Sequence, residues 1–189
     1  MKKEAGHTFL AKLGKKRLRP GGRKATDWLI KKGHFTKDKR VLEVGCNMCT
    51  TAIQLAKTYG CNIEGVDLNA KALQQGQKNV EAASLSHLIH VQKANAMNLP
   101  FEDEQFDIIL NEAMLTMLPL KAKVQALREY YRVLKPGGML LTHDIAIINL
   151  AQKEEIVENL SSAINVKVTP LPTAEWYQLF KDSRFSQIE

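Results

Sequence analysis

The chain has few cysteines, few aromatic residues and no long apolar run, and each shortage removes a class of protein. Three cysteines in 189 residues, Cys46, Cys49 and Cys61, are an odd number in a chain large enough to hold its own core, which fits a reducing compartment better than a disulfide scaffold. The longest apolar candidate, around Met139 to Leu150, is broken by His143 and Asp144 and falls short of the roughly 18 to 20 residues of a membrane span. The opening stretch MKKEAGHTFLAKLGKKRLRPGG carries charge throughout and lacks the apolar centre of a secretory signal. A cytoplasmic protein without a transmembrane segment is therefore expected. A hydrophobic content of 44% with 25% charged residues excludes disorder and fibrous repeats. Acidic residues are scarce at one end only: residues 1–40 hold 14 basic and 3 acidic side chains, a net +11, while the remainder carries −4.

What is present alternates between two patterns. Residues 21–33 open on a glycine pair, place Ala25, Trp28 and Leu29 at helical spacing and stop at Gly33. VLEVGC then reads as a buried strand whose only charge is Glu43. A helical pattern from Thr50 to Gly60, the strand NIEGVDL and a second helix from about Asn69 to Ala83 follow. HLIHVQKA and FDIILNEA read as strands, KVQALREYYRVL as a helix, and GMLLTHDI as a strand after the Lys135-Pro136-Gly137-Gly138 turn. Apolar strands without polar alternation, separated by helices, predict a parallel sheet covered on both faces, an open doubly wound α/β fold. Residues 1–38 read as a basic N-terminal helical extension and residues 39–189 as one domain. Such sheets bind ligands beyond the carboxyl ends of their strands, so the residues just after each strand are the ones to inspect.

The first strand leads into Glu43-Val44-Gly45-Cys46-Asn47-Met48-Cys49-Thr50, a tight turn that opens a helix whose free backbone N–H groups can meet a ligand. A dinucleotide fingerprint would need glycine at 45, 47 and 50; only Gly45 is one, which disfavours NAD. A carboxylate such as Asp67, held at a strand end, can accept two hydrogen bonds from a ribose diol; the alternative role is a helix N-cap ahead of Asn69-Ala70. Cys46-x-x-Cys49 admits a metal or redox role, but zinc needs two further ligands and none follows at suitable spacing, with His87 and His90 flanking or inside a strand read as buried. Small loop residues are the expectation, and no metal site.

These landmarks in this order resemble the class I S-adenosylmethionine-dependent methyltransferases, in particular the ubiquinone-type small-molecule group, over roughly residues 20–185. The glycine-rich loop of that family, D/E-x-G-x-G-x-G, is matched by Glu43 and Gly45, with Asn47 and Cys49 in place of its later glycines. Asp67 stands where the family's ribose-binding acid does, and Ala94-Asn95-Ala96-Met97-Asn98-Leu99-Pro100-Phe101 is similar to its D-A-x-x-L-P-F segment, whose first polar side chain reaches the adenine amino group. Phe106-Asp107 and Leu134-Lys135-Pro136-Gly137-Gly138 complete the set. The resemblance implies a doubly wound Rossmann-like sheet, S-adenosyl-L-methionine as cofactor with S-adenosyl-L-homocysteine as product, and a cofactor site of Glu43, Gly45, Asn47, Cys49, Asp67, Leu68, Asn95, Ala96 and Asn111. Glu43 is expected to be a buried carboxylate satisfied by loop N–H groups. Asn tolerates the left-handed backbone that glycine normally supplies at 47, whereas Cys49 is expected to add a side chain where the methionine moiety packs and so to weaken binding.

Methyl transfer needs an aligned acceptor and, for a protonated acceptor, a base. His143 is the preferred base, with Asp144 beside it, and the acceptor is expected beyond the fourth and fifth strands near Asn111, Glu112 and Met114. The family's adenine-methylating Asn/Asp-Pro-Pro-Tyr/Phe motif is replaced by Asn111-Glu112-Ala113-Met114, and no cysteine lies late enough for cytosine C5 chemistry, which argues against both substrates. Ala113, Met114, Leu115, Met117 and Leu118 suit a small, partly hydrophobic acceptor, or simply core. Lys12, Lys15, Lys16, Arg17 and Arg19 keep an RNA substrate in view, on charge alone and without interleaved aromatics. The related enzymes instead fold this region over the cofactor as a lid, with Arg19 and Arg23 as candidate acceptor contacts, while His7 and His34 read as surface residues. A non-catalytic binding protein with a degenerate loop is the third alternative. A homo-oligomer is a further expectation. At the far end Thr173 reads as an N-cap, Trp176, Leu179 and Phe180 as an apolar stripe, and Phe185–Glu189 as the start of a sixth strand. The family's antiparallel seventh strand has no counterpart here, so either the chain is truncated or another chain covers the exposed sheet edge.

Overall fold

A computed structural model describes residues 21–189. Five parallel strands, β1 (Arg40–Val44), β2 (Asn62–Asp67), β3 (Ile89–Lys93), β4 (Phe106–Glu112) and β5 (Leu134–His143), form one sheet in the order β3-β2-β1-β4-β5. The order reverses at β1 and β4, so their carboxyl ends frame a crevice. The expected doubly wound α/β fold is the one observed.

Helices α1 (Gly22–Lys32), α2 (Thr50–Tyr59) and α3 (Ala70–Ala82) cover one face. Leu29 and Ile30 of α1, Leu55 of α2, and Leu73 and Val80 of α3 meet Val41, Ile63, Ile108, Leu110 and Leu141 from the strands. Helices α4 (Leu120–Val133) and α6 (Thr173–Asp182) cover the other, where Leu127, Tyr130, Val133, Trp176 and Leu179 bury against Leu42, Val44 and Ile109. Each such aliphatic side chain contributes roughly 1.5–3 kcal/mol of burial, enough to hold both layers to the sheet. Leu29 and Ile30 of α1, and Phe35, pack into the same core as the strands. The basic side chains at 12, 15, 16, 17 and 19, and His7, lie outside the described residues; Arg23 is exposed and ion-paired with Asp27 at 3.3 Å. His34 is exposed, as expected.

Helix α5 (Lys153–Ile164) buries no residue and bridges β6 (Ala146–Ile147) to β7 (Leu171–Pro172), which pair with each other in parallel. Several local expectations give way here. Asn69, not Asp67, caps α3, its side chain accepting from Lys71 and Ala72 N–H. Thr173 occupies the first helical position of α6 after Pro172 and makes no capping bond. Strand β3 is an edge strand, and His90 on it is exposed and pairs with Glu64 at 2.8 Å. Phe185–Glu189 is not a strand: Arg184 and Gln187 have φ of 71° and 52°, which turns the chain away from extended geometry. Phe185 packs edge-on against Tyr131 at 5.8 Å while Glu189 reaches Lys32 at the end of α1 at 2.7 Å, so this tail passes from one face of the sheet to the other.

Candidate active site

The turn after β1 is shaped by three left-handed residues, Gly45 (φ 77°), Asn47 (φ 48°) and Cys49 (φ 58°). Glycine and asparagine enter this region at little cost; cysteine does so less readily. The conformation is held from both sides. Gly45 and Cys46 N–H groups both donate to the Val66 carbonyl, at 2.8 and 3.0 Å, and Cys49 N–H donates to the Cys46 carbonyl at 2.8 Å. Asn47 N–H donates to Asp67 Oδ2 at 2.9 Å, tying the loop to the end of β2. Beneath, Glu43 is buried and its Oε2 accepts from Ala52 N–H at 3.0 Å. The first turn of α2 is thus one of its partners, and the carboxylate offsets the free N–H groups there.

Cys49 does not enter the crevice. Its Sγ points down into the core, 3.9 Å from Cys46 Sγ, and fills the space left by Gly76 of α3, where an added Cβ would lie 2.8 Å from it. Cys46 lies against Gly65 of β2 in the same way, an added Cβ there being 3.2 Å from its Sγ. All three cysteines are buried and reduced. Burial pushes the Cys61 thiol up to about 11, and the bond from Cys49, followed by burial, raises Cys46 far above the thiol range. Among the described residues, no group of three or more His, Cys, Asp or Glu side chains is arranged to hold a metal ion.

Across the crevice the strand ends divide by face. Asp67 holds one backbone donor on each carboxylate oxygen, Asn47 on Oδ2 at 2.9 Å and Asn69 on Oδ1 at 2.8 Å, which leaves acceptor capacity on each for a diol. Leu68 beside it is 59% exposed, an apolar surface with nothing of the chain covering most of it. Asn95 folds back, its Oδ1 accepting from Met97 N–H at 3.0 Å, with Ala96 between them half-buried. A Cβ on Gly45 would meet Met114 at 3.4 Å, so the loop backbone and the Met114 side chain line the crevice wall together. A ribose acceptor pair, an apolar shelf beside it and the amino end of α2 fit an adenosyl cofactor that carries a charged amino-acid tail.

Asn111 and Asp144 belong to the opposite face. Asn111 is fully buried; it donates to Thr142 Oγ1 at 3.2 Å and Asp144 Oδ2 at 3.3 Å, and accepts from Tyr130 Oη at 3.1 Å. Asp144 also accepts from Thr116 N–H at 2.7 Å and Thr142 Oγ1 at 3.0 Å, and burial raises its carboxyl above the usual range. Both side chains, expected at the cofactor and at the reacting centre, are engaged in a buried network that joins the ends of β4 and β5. Lys123 lies fully buried behind it, donating to Leu118 and Thr169, and burial lowers its ammonium to about 8. Leu115 is core, with Met114 and Leu118 half-buried against it.

His143 points the other way, toward α1: an added Cβ on Gly21 would lie 3.4 Å from its Cε1. Its Nδ1 is buried and has no hydrogen-bond partner among the described residues. Next to it, in register on β4, is Glu112. Glu112 Oε2 accepts from Thr26 Oγ1 of α1 at 2.9 Å and Oε1 from Thr51 Oγ1 of α2 at 3.5 Å. Sequence reading placed Glu112 only in the acceptor region; the threonines, far away in the chain, carried no signal at all.

A family model described as a methyltransferase domain matches residues 41–138, from β1 to the turn inside β5. A protein of Haemophilus influenzae described only as uncharacterised is 60% identical over 188 residues, covering 100% of this chain and 74% of its own. The demethylmenaquinone methyltransferase of Lactiplantibacillus plantarum is 36% identical over 110 residues, 57% of this chain and 46% of its own, so this chain spans about half the length of that relative. The solved structure of geranyl diphosphate C-methyltransferase from Streptomyces coelicolor, bound to Mg2+, geranyl diphosphate and S-adenosyl-L-homocysteine, superposes with a TM-score of 0.75 at 17% identity, covering 84% of this chain and 63% of that one. With more than half its length inside the family model and strand ends in the family's order, the chain belongs to the class I S-adenosylmethionine-dependent methyltransferases of the small-molecule group.

Proposed function

We propose that the protein transfers a methyl group from S-adenosyl-L-methionine to a small-molecule acceptor at the carboxyl ends of β1, β4 and β5. The observation that carries this reading is Asp67, whose two oxygens each hold one backbone N–H and keep acceptor capacity beside the exposed Leu68. In this reading Asp67 binds the ribose hydroxyls, Leu68 and Asn95 border the adenine, and the loop backbone from Gly45 to Cys49 receives the methionine end. The bound sulfonium supplies an electrophilic methyl group. The chain's part is placement: the crevice would align an acceptor atom in line with that methyl group, and Met114 and α1 would keep water from it. For a protonated acceptor, His143 at the end of β5 is the base in this reading. Asp144 acts at a distance, by holding the end of β5 through Thr116 and Thr142.

Two of the proteins named above, the demethylmenaquinone methyltransferase and the geranyl diphosphate C-methyltransferase, favour a partly apolar acceptor here, and no helix among the described residues is long and apolar enough to cross a membrane. Isothermal titration tests the reading before any acceptor is known. The protein is expected to bind S-adenosyl-L-methionine, and Asp67→Ala to weaken that binding at least about tenfold through loss of two charge-assisted bonds. A wild-type chain with no affinity for the cofactor overturns it.

A further inference from the structure

Glu112 is the one carboxylate at the carboxyl end of β4, and two hydroxyls from different helices converge on it. Thr26, fully buried on α1, bonds Oε2 at 2.9 Å, and Thr51, buried at the second position of α2, approaches Oε1 at 3.5 Å. Thr26 Oγ1 also lies 3.2 Å from the Gly22 carbonyl, within its own helix. A half-buried carboxylate tied to two helices has lost most of its rotamer freedom, an arrangement that fixes a charge in space. The neighbouring elements have anchors besides Glu112: Glu43 accepts from Ala52 N–H in the first turn of α2, and Asn111 ties β4 to Tyr130 on the other face.

We propose that Glu112 is an electrostatic discriminator that favours the sulfonium of the methyl donor over the neutral thioether of the demethylated product. This rests on the functional reading above. With the ribose at Asp67 on β2, the sulfur, one methylene beyond the ribose ring, lies toward β1 and β4, because these are the next strands in the order β3-β2-β1-β4-β5. Glu112 is the acid at that end of β4 whose side chain faces α1 and α2, on the same side of the sheet as the loop they flank. Donor and product differ by one methyl group and one positive charge, so a fixed carboxylate near the sulfur in a partly desolvated crevice separates them, where shape alone separates them poorly. Loss of that charge on transfer then weakens the hold on the product, which helps it leave. Thr26 and Thr51 are positioning residues in this scheme.

The test is isothermal titration of the full chain with S-adenosyl-L-methionine and S-adenosyl-L-homocysteine separately, for wild type, Glu112→Gln, Thr26→Val and Thr26→Ser. Glu112→Gln is expected to lower the donor-to-product affinity ratio about tenfold, through the donor, with product affinity little changed. Thr26→Val is expected to lower the ratio by a smaller factor and Thr26→Ser to restore it, since serine keeps the hydroxyl. An equal loss for both ligands in Glu112→Gln, or an unchanged ratio, overturns the proposal and marks Glu112 as structural. Should Glu112→Gln fail to fold, the Thr26 pair decides: an unchanged ratio in Thr26→Val overturns it. Wild-type protein that binds neither ligand defeats the functional reading instead, a result distinct from either.

Discussion

Cys49 and Gly76 occupy one another's space: a methyl group on Gly76 would lie 2.8 Å from Cys49 Sγ, and 3.1 Å from the Asn47 carbonyl. The pair explains how a side chain at a loop position suited to glycine leaves the crevice clear. Helix α3 gives up a Cβ, and with it up to about 1 kcal/mol of helix propensity, so that the thiol can turn inward.

Gly76→Ala is therefore expected to destabilise the chain despite the better helix former, by roughly 1–2 kcal/mol after overpacking is set against propensity. In a Cys49→Gly background the same change is expected to cost less, because the nearest obstacle is gone. Chemical denaturation of the four variants gives the coupling directly; additive costs would show that the thiol and the glycine do not share that space.

Gly45 stands at φ 77° with its absent Cβ directed at Met114, 3.4 Å away. Gly45→Ala is expected to cost about 1–2 kcal/mol in backbone strain and to move the loop away from Asp67. Its signature is a fall in S-adenosyl-L-methionine affinity larger than the fall in thermal midpoint predicts. Met114→Ala in the same background relieves the side-chain contact but not the positive φ, so recovery is expected to be partial.

Lys123 titrates at about 8 in the fold, below its ordinary 10.5, because burial disfavours the ammonium. Between these values the unfolded chain binds more protons than the folded one, so this group makes stability rise with pH across that window. Below about pH 8 both states are protonated and its full penalty applies. Lys123→Met removes the slope, and the stability of wild type minus variant is expected to increase from pH 8 to 10.5. A flat difference would mean that the lysine titrates normally.

Asp144 behaves in the opposite sense. Its folded value is raised by burial, so the fold favours the protonated acid, and its contribution to stability is complete below the ordinary value of 3.8 and declines as pH rises through the raised one. Asp144→Asn keeps the shape and cannot ionise. The difference curve between wild type and Asp144→Asn, measured by denaturation from pH 3 upward, is expected to fall with pH; the rest of the network should keep the variant folded. A difference independent of pH would show that Asp144 ionises with no cost in the fold.

The sequence by itself determined the order of elements, the parallel doubly wound sheet and the strand ends at which Glu43, Gly45, Asp67 and Asn95 stand, because apolar strands alternating with amphipathic helices admit few other packings. It also carried the tolerance of Asn47 for a left-handed turn, a property of one residue and its neighbours. What only the tertiary structure decided is direction. Asn111 and Glu112 are adjacent in the chain, yet one turns to Tyr130 and the other to Thr26, since side chains alternate along a strand and register alone assigns each to a face. Asp144 and His143 separate by the same rule, one into the buried network and one toward α1. Cys49 looked like an obstacle until Gly76, 27 positions later, came to rest beneath it. Phe185–Glu189 has the residues of a strand, but left-handed geometry at Arg184 and Gln187 and anchors at Tyr131 and Lys32 draw it around the sheet. Contacts between residues distant in the chain depend on three-dimensional packing, which local pattern does not encode.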